Sequence, residues 1–227
     1  MKRSKQLLGA VSTIALIAFS ASPALAGGST AGSSITNNVS VSFDVGGVTQ
    51  TAVTASNTFT VDRKIDVLVD FAGTAATSVA PGAQNQVLAF DVTNLSNAVV
   101  DIRLAAALNA GNAANIANFE VYRDTNGDRS LSAAELAAGP ITYLDEVAAD
   151  ATVAVIVIAD IGLGAVNGNE FDVVLTGTAR EGGTAGTQGA AITQTAGANT
   201  AGVDTVFTDG AGTTDAARDG AYSDVGK

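Results

Sequence analysis

Apolar and polar residues alternate with a period of two along most of this chain. Val39, Val41, Phe43 and Val45 interleave with Ser40, Ser42 and Asp44, so one face of a strand is apolar and the other polar. Gly46-Gly47 follows, a two-residue hairpin signal, and Val48 resumes the pattern beyond it. Phe59 and Val61 lead into a second alternating run of Ile65, Val67, Val69 and Phe71. Pro81-Gly82 marks a turn, because Pro presets φ and Gly tolerates a positive φ. Leu88, Phe90 and Val92 then alternate up to Asn94, and Val100, Ile102 and Leu104 form a further strand. Residues 105–118 read as a small-residue loop or weak helical turn, and Phe119 and Val121 as the strand after it. Residues 152–158, TVAVIVI, are apolar on both faces and predict a central buried strand. Phe171, Val173 and Leu175 complete the strong strands, and one short helix is expected over residues 132–138.

Many short Thr- and Val-rich strands with Gly, Asn and Pro turns predict an all-β fold. It is read as an antiparallel β-sandwich, immunoglobulin-like or jelly-roll, with one short helix after an acidic loop. The sandwich is expected over residues 35–180. A Gly/Ala/Thr-rich loop or linker follows over 181–202, an additional strand at 203–207, and an acidic flexible tail over 208–227.

The start of the chain reads differently. Lys2, Arg3 and Lys5 precede an apolar stretch, and Ala24 and Ala26 form a small-x-small ending, so residues 1–26 read as a secretory signal peptide. Residues 27–34 read as a flexible leader. The expected location is therefore extracellular or at the cell surface, with no membrane insertion of the mature chain.

Composition narrows the chemistry. With no Cys and no His, thiol nucleophiles, disulfides, His-based zinc sites and Ser-His-Asp triads are excluded. Carboxylates and hydroxyls remain, and those ligands suit Ca²⁺ or Mg²⁺. A net charge of −11 without a basic patch opposes binding to nucleic acid.

The densest set of hard oxygen ligands lies in residues 119–135, FEVYRDTNGDRSLSAAE. Asp124, Asn126 and Asp128 stand at alternate places, and Glu135 falls at the twelfth counted from Asp124. That is the ligand spacing of an EF-hand-type calcium loop, with the Ser130 backbone carbonyl at the seventh place. A bound Ca²⁺ would be structural, and of extracellular affinity near roughly 10⁻⁴–10⁻³ M. Two features point to a plain acidic turn instead. Arg129 occupies the sixth place, where a Gly is usual, and Ser132 with Glu135 makes a capping box that gives Glu135 another task.

Two resemblances carry implications. Residues 78–82, Ser-Val-Ala-Pro-Gly, followed by residues 87–94, Val-Leu-Ala-Phe-Asp-Val-Thr-Asn, resemble a repeat domain of unknown function found in bacterial surface proteins; residues 56–66 and 203–207 resemble the leading module of such proteins. This implies a sandwich in an extracellular, surface or matrix protein. The chain is more distantly similar to camelysin-like biofilm-fibre proteins of the TasA type, in which a subunit lends an N-terminal strand to its neighbour. The same role would fall here to residues 27–45; the alternative is that this strand folds back as an ordinary hairpin through Gly46-Gly47.

Two further groups bear on chemistry. Lys64, a lone strand Lys beside Asn-rich strands, could form an intramolecular isopeptide bond with Asn94, or else it is an edge-strand charge that discourages aggregation. Asp145, Glu146 and Asp150 offer paired carboxylates, but they sit in a chain poor in aromatics and read as a solvated loop. The expected function is that of a non-enzymatic structural protein of the surface, matrix or a filament, self-associating as a homopolymer or contacting other surface proteins. The alternative is a calcium-dependent adhesive or glycan-binding surface module.

Overall fold

The structure, a computed structural model, describes residues 28–197 and 199–227. The segment read as a signal peptide lies outside the described residues. The rest forms a β-sandwich that carries a separate two-stranded ribbon.

The ribbon comes first in the chain. Strand β1 (Ser34–Val41) runs out, a short tip of β2 (Asp44–Val45) and β3 (Val48–Thr49) turns, and β4 (Val53–Thr60) returns. Gly46 and Gly47, at φ 60° and 80°, make the tip turn, as the hairpin signal predicts. The antiparallel register sets Ser34 opposite Thr60 and Val41 opposite Val53. At the tip Asp44 lies opposite Thr49, so the returning strand carries one extra residue, a bulge between Gln50 and Val53.

The sandwich follows. Short β5 (Arg63–Ile65) and β6 (Val67–Phe71) lead to β7 (Gln86–Asn94) and β8 (Val100–Ala110). Next come β9 (Ile116–Arg123), helix α1 (Ala133–Ala138), β10 (Tyr143–Val147), β11 (Thr152–Ile161) and β12 (Asp172–Glu181). The chain closes with β13 (Thr205–Phe207) and β14 (Ala221–Gly226). One antiparallel sheet has the order β6-β7-β11-β9 and the other β10-β8-β12-β14; β13 pairs in parallel with β5. Residues that alternate on the strands face each other between the sheets: Val67, Val69, Phe90, Val92, Val155 and Val157 from one, Val100, Ile102 and Leu175 from the other. Phe71 and Phe90 meet at a centroid distance of 5.3 Å with tilted rings.

Strand β11 is apolar on both faces because both faces are covered. Val155 and Val157 point into the main core. On the other face Ile156 and Ile158 pack with Tyr122, Val87 and Leu131, so Leu131 of the acidic loop covers the outside of the sheet.

Three sequence expectations change. Residues 105–118 are not all loop, since β8 continues to Ala110 and a short 3-10 turn, Ala113–Asn115, separates it from β9. The run of Ala in this stretch hides the strand, because Ala carries little β signal. The tail read as flexible instead supplies β14, paired with β12 from Val173–Gly226 to Thr178–Ala221. Its acids are bound: Asp209, almost wholly buried, accepts N–H bonds from Asp219 and Gly220 at 3.0 Å each. The described part of the leader is also fastened, by Ala31 N–H to the Asn97 carbonyl at 3.1 Å and Gly32 N–H to the Val61 carbonyl at 2.9 Å.

Candidate functional site

The acidic loop is built by its own hydrogen bonds. Asp124, nearly buried at the end of β9, accepts from Gly127 N–H at 2.7 Å through Oδ1 and from Arg129 N–H at 3.0 Å through Oδ2. Asn126 Oδ1 accepts from Asp128 N–H at 3.0 Å, and Asp128 Oδ1 accepts from Ser130 N–H at 2.9 Å. Asn126 also donates through Nδ2 to Asp128 Oδ2 at 2.9 Å. Arg129, in the sixth place, adopts φ 60°, the left-handed backbone for which Gly is usual. Its guanidinium pairs with Asp91 on β7 at 2.9 Å.

Glu135 is held from two sides. Oε1 accepts from Thr125 N–H at 2.7 Å and from the Thr125 hydroxyl at 3.1 Å. Oε2 accepts from Ser132 N–H and the Ser132 hydroxyl, both at 2.9 Å, while the Ser132 hydroxyl caps α1. The Ser132 N–H, then the Thr125 N–H and the Ser132 hydroxyl, hold its carboxyl down to about 2. The capping box therefore exists. Each Asp124 oxygen keeps a free lone pair for a cation, whereas both Glu135 oxygens already accept two bonds. In this conformation Asp124, Asn126 and Asp128 are the members of the predicted ligand set best able to take Ca²⁺; Glu135 would first release hydroxyl donors.

The structure brings together a second acidic group, which the sequence dispersed. Asp101 on β8 and Asp145 and Glu146 on β10 place carboxylate oxygens within 4.8 Å of one another. The turn region 182–189 lies over them and supplies N–H donors. Gly183 and Thr184 donate to Glu146 Oε1, Gly186 to both Asp145 oxygens, and Gly189 to Asp101 Oδ2 at 2.8 Å. Glu146 N–H donates to Asp101 Oδ1 at 2.9 Å. These oxygens are of the kind Ca²⁺ takes, and they fix the Gly-rich segment that follows β12. Asp150, read with Asp145 and Glu146, stands apart at the turn before β11, where its N–H donates to the Asn94 carbonyl. The signal for the cluster was the Gly-rich stretch 182–189 itself, whose unpaired N–H groups need acceptors.

Lys64 and Asn94, the two residues read for an isopeptide bond, are engaged with other partners. Lys64 Nζ lies 3.2 Å from Asp66. Asn94 is fully buried, its amide donating to the Ala98 and Val147 carbonyls and its oxygen accepting from Ser96 N–H.

The ribbon is the most unusual surface. On one of its faces stand Ile35, Asn37, Val39, Val41 and Phe43 of the outgoing strand, with Phe59, Asn57, Ala55 and Val53 opposite the first four, so the face is apolar except for one Asn pair. The other face carries Thr36, Asn38 and Ser40 opposite Thr58, Ser56 and Thr54. Val39, Val41, Phe43, Val45, Val48, Val53 and Phe59 are between 44% and 63% exposed. A two-stranded hairpin alone is marginally stable in water, and an uncovered apolar row makes it more so. The N-terminal strand thus takes the hairpin alternative, but as a projection rather than as part of the sandwich.

No helix among the described residues is long and apolar enough to cross a membrane. No family model, curated protein or solved structure matches the chain.

Proposed function

We propose that the chain is an exported structural subunit of the cell surface, an extracellular matrix or a filament, that it assembles with copies of itself through its N-terminal ribbon, and that it catalyses nothing. The observation that carries this reading is the amphipathic ribbon, whose apolar face is turned to solvent while the sandwich behind it has a complete core of its own. Apolar surface of this extent favours association, because removing it from water is worth roughly 25 cal/mol per Å². Export is supported by the basic, apolar and Ala-x-Ala order of residues 1–26. The ribbon replaces the single donated strand of the sequence reading, since β1 already spends one edge on β4. Negative-stain microscopy and sedimentation of the purified protein test this. Assemblies are expected, and a Val41→Asp/Val53→Asp variant should stay monomeric. Wild-type protein that remains monomeric at high concentration contradicts the reading.

A second reading, a calcium-dependent adhesive or glycan-binding surface module, is favoured by the two acidic groups. Glycan-array binding that disappears in EGTA would support it over the filament reading.

A further inference from the structure

A second uncovered apolar surface lies at the pole of the sandwich away from the ribbon. The ribbon is rooted where β7 ends: Asn97, just beyond it, bonds the Ser29 and Asp62 carbonyls, and Arg63 pairs with Glu181 at the end of β12. At the other ends of these same strands, Gln86 through Leu88 and Val173 line a groove of about 410 Å³. Its floor includes Val79, Leu88, Ile161 and Phe171. Beside it stand Leu163, 86% exposed and seated over the Pro81-Gly82 turn, and Val166, 65% exposed. The two surfaces are separated by the length of β7, nine residues or roughly 27 Å of extended chain.

We infer that this groove receives the ribbon of a second copy of the chain, so that subunits join head to tail. This rests on the proposed ribbon-mediated assembly and names its receiving site. Three observations select a second copy as the occupant. The ribbon is paired from Ser34–Thr60 to Val41–Val53 and rooted at the opposite pole, and none of its residues lines the groove of its own molecule. Both surfaces are almost free of net charge in a chain of −11. Asp44 is the ribbon's one charged residue, and the groove's two, Glu170 and Lys227, pair at 3.0 Å. Copies that repel elsewhere therefore meet at these two places at least electrostatic cost. The seven exposed ribbon side chains together offer roughly 500 Å² of apolar surface, close to the apolar share of an ordinary interface half of about 800 Å².

The groove suits the ribbon's end rather than a whole strand. Its volume is in the range of small-ligand pockets, about 300–1,000 Å³, which admits a few side chains. Phe43, Val45 and Val48 at the tip are of that kind, and the apolar face behind them would continue over Leu163 and Val166. Since the two contact surfaces differ and lie at opposite ends, the contact is heterologous, and repeating it gives an open chain of subunits and not a closed dimer.

The test uses two variants of the purified protein. Val41→Asp/Val53→Asp alters the ribbon, and Leu163→Asp/Val166→Asp alters the groove rim; all four positions are exposed, so both variants should fold, as circular dichroism checks. Sedimentation velocity is expected to show each variant alone as a monomer, with self-association weakened by about tenfold or more, as a carboxylate forced into an apolar contact implies. Mixed in equal amounts, they should form dimers and nothing longer, because only one intact ribbon and one intact groove remain to meet. Groove-rim variants that assemble like wild type, or a mixture that stays monomeric, overturn the groove as the receiving site while leaving ribbon assembly standing; a ribbon stacked on another ribbon gives the first of these results. Ribbon variants that also assemble like wild type, or wild-type protein that never assembles, overturn both.

Discussion

Asn97 and Asp62 are joined at the foot of the ribbon, where the Asn97 side-chain amide donates to the Asp62 carbonyl at 2.9 Å. The same amide donates to the Ser29 carbonyl at 3.0 Å, and its oxygen accepts from Lys64 N–H at 2.8 Å. One buried side chain thus ties the segment entering the ribbon to the segment leaving it. Asn97→Ala leaves those groups unpaired, at a cost of about 1–3 kcal/mol. In a chain of this size that lowers the melting temperature by roughly 2–4 °C per kcal/mol. Limited proteolysis should also cut faster near residues 28–33 and 61–64. An unchanged melt with an unchanged digest speaks against the clamp.

The ribbon and the sandwich should respond to substitution in opposite ways. Phe90 is fully buried between the sheets and touches Phe71, so Phe90→Ala should cost about 3–5 kcal/mol of stability. Val53 is 62% exposed, so Val53→Ser should change monomer stability by no more than about 0.5 kcal/mol while weakening assembly. Urea melts at low protein concentration separate the two. A large loss of stability from Val53→Ser would make the ribbon part of the folded core.

The sandwich was legible wherever a strand buries one face, since Phe90 and Val92, or Val67 and Val69, recur at every second residue for that reason. It was illegible in β8 beyond Leu104 and in β14, where Leu108 stands alone among Ala and Asn, and Tyr222 and Val225 fall three residues apart, so no period of two shows. The acidic loop was legible because its geometry is local: residues 124–130 bond to one another two to five places apart, and Ser132 caps the helix it precedes. Asp101 meets Asp145 and Glu146 only through the pairing of β8 with β10, so no spacing rule reports that cluster. The ribbon's alternation read as half-buried for a similar reason. Period two marks an apolar face, and says nothing of whether the same chain covers it.

Calcium should stabilise the protein through the loop at Asp124. With a dissociation constant near roughly 10⁻³ M, calcium at ten times that concentration adds about 1.4 kcal/mol, or roughly 3–6 °C in melting temperature. Asp124→Ala also removes acceptors for Gly127 and Arg129, so the informative quantity is the calcium-dependent shift, not the absolute midpoint. The shift should vanish in Asp124→Ala and persist in Asp101→Asn. Persistence in the first and loss in the second would move the site to the Asp101, Asp145 and Glu146 cluster. No shift between calcium and EGTA in the wild type removes the metal from both.

Asp160 should make stability fall in acid. Near the end of β11 its Oδ2 accepts from the Asn118 amide and its Oδ1 from Asn85 N–H, each at 2.8 Å. Both Asn residues adopt left-handed backbone, at φ 57° and 52°, so the carboxylate holds two strained turns in place. The Asn118 amide, then the Asn85 N–H, lower its pKa below the ordinary 3.8. A carboxyl that binds its proton less readily when folded lends stability that is fully present above the unfolded value and is lost as pH falls through the folded one. The window is therefore from about pH 4 downward, not the neutral range. Asp160→Asn removes the charge at every pH, so it should be less stable than wild type at pH 7 and converge with it as pH falls through the folded value. Denaturant melts of both proteins from pH 7 to pH 2 give the comparison, and a gap that stays constant across that range would show that the Asp160 charge contributes nothing.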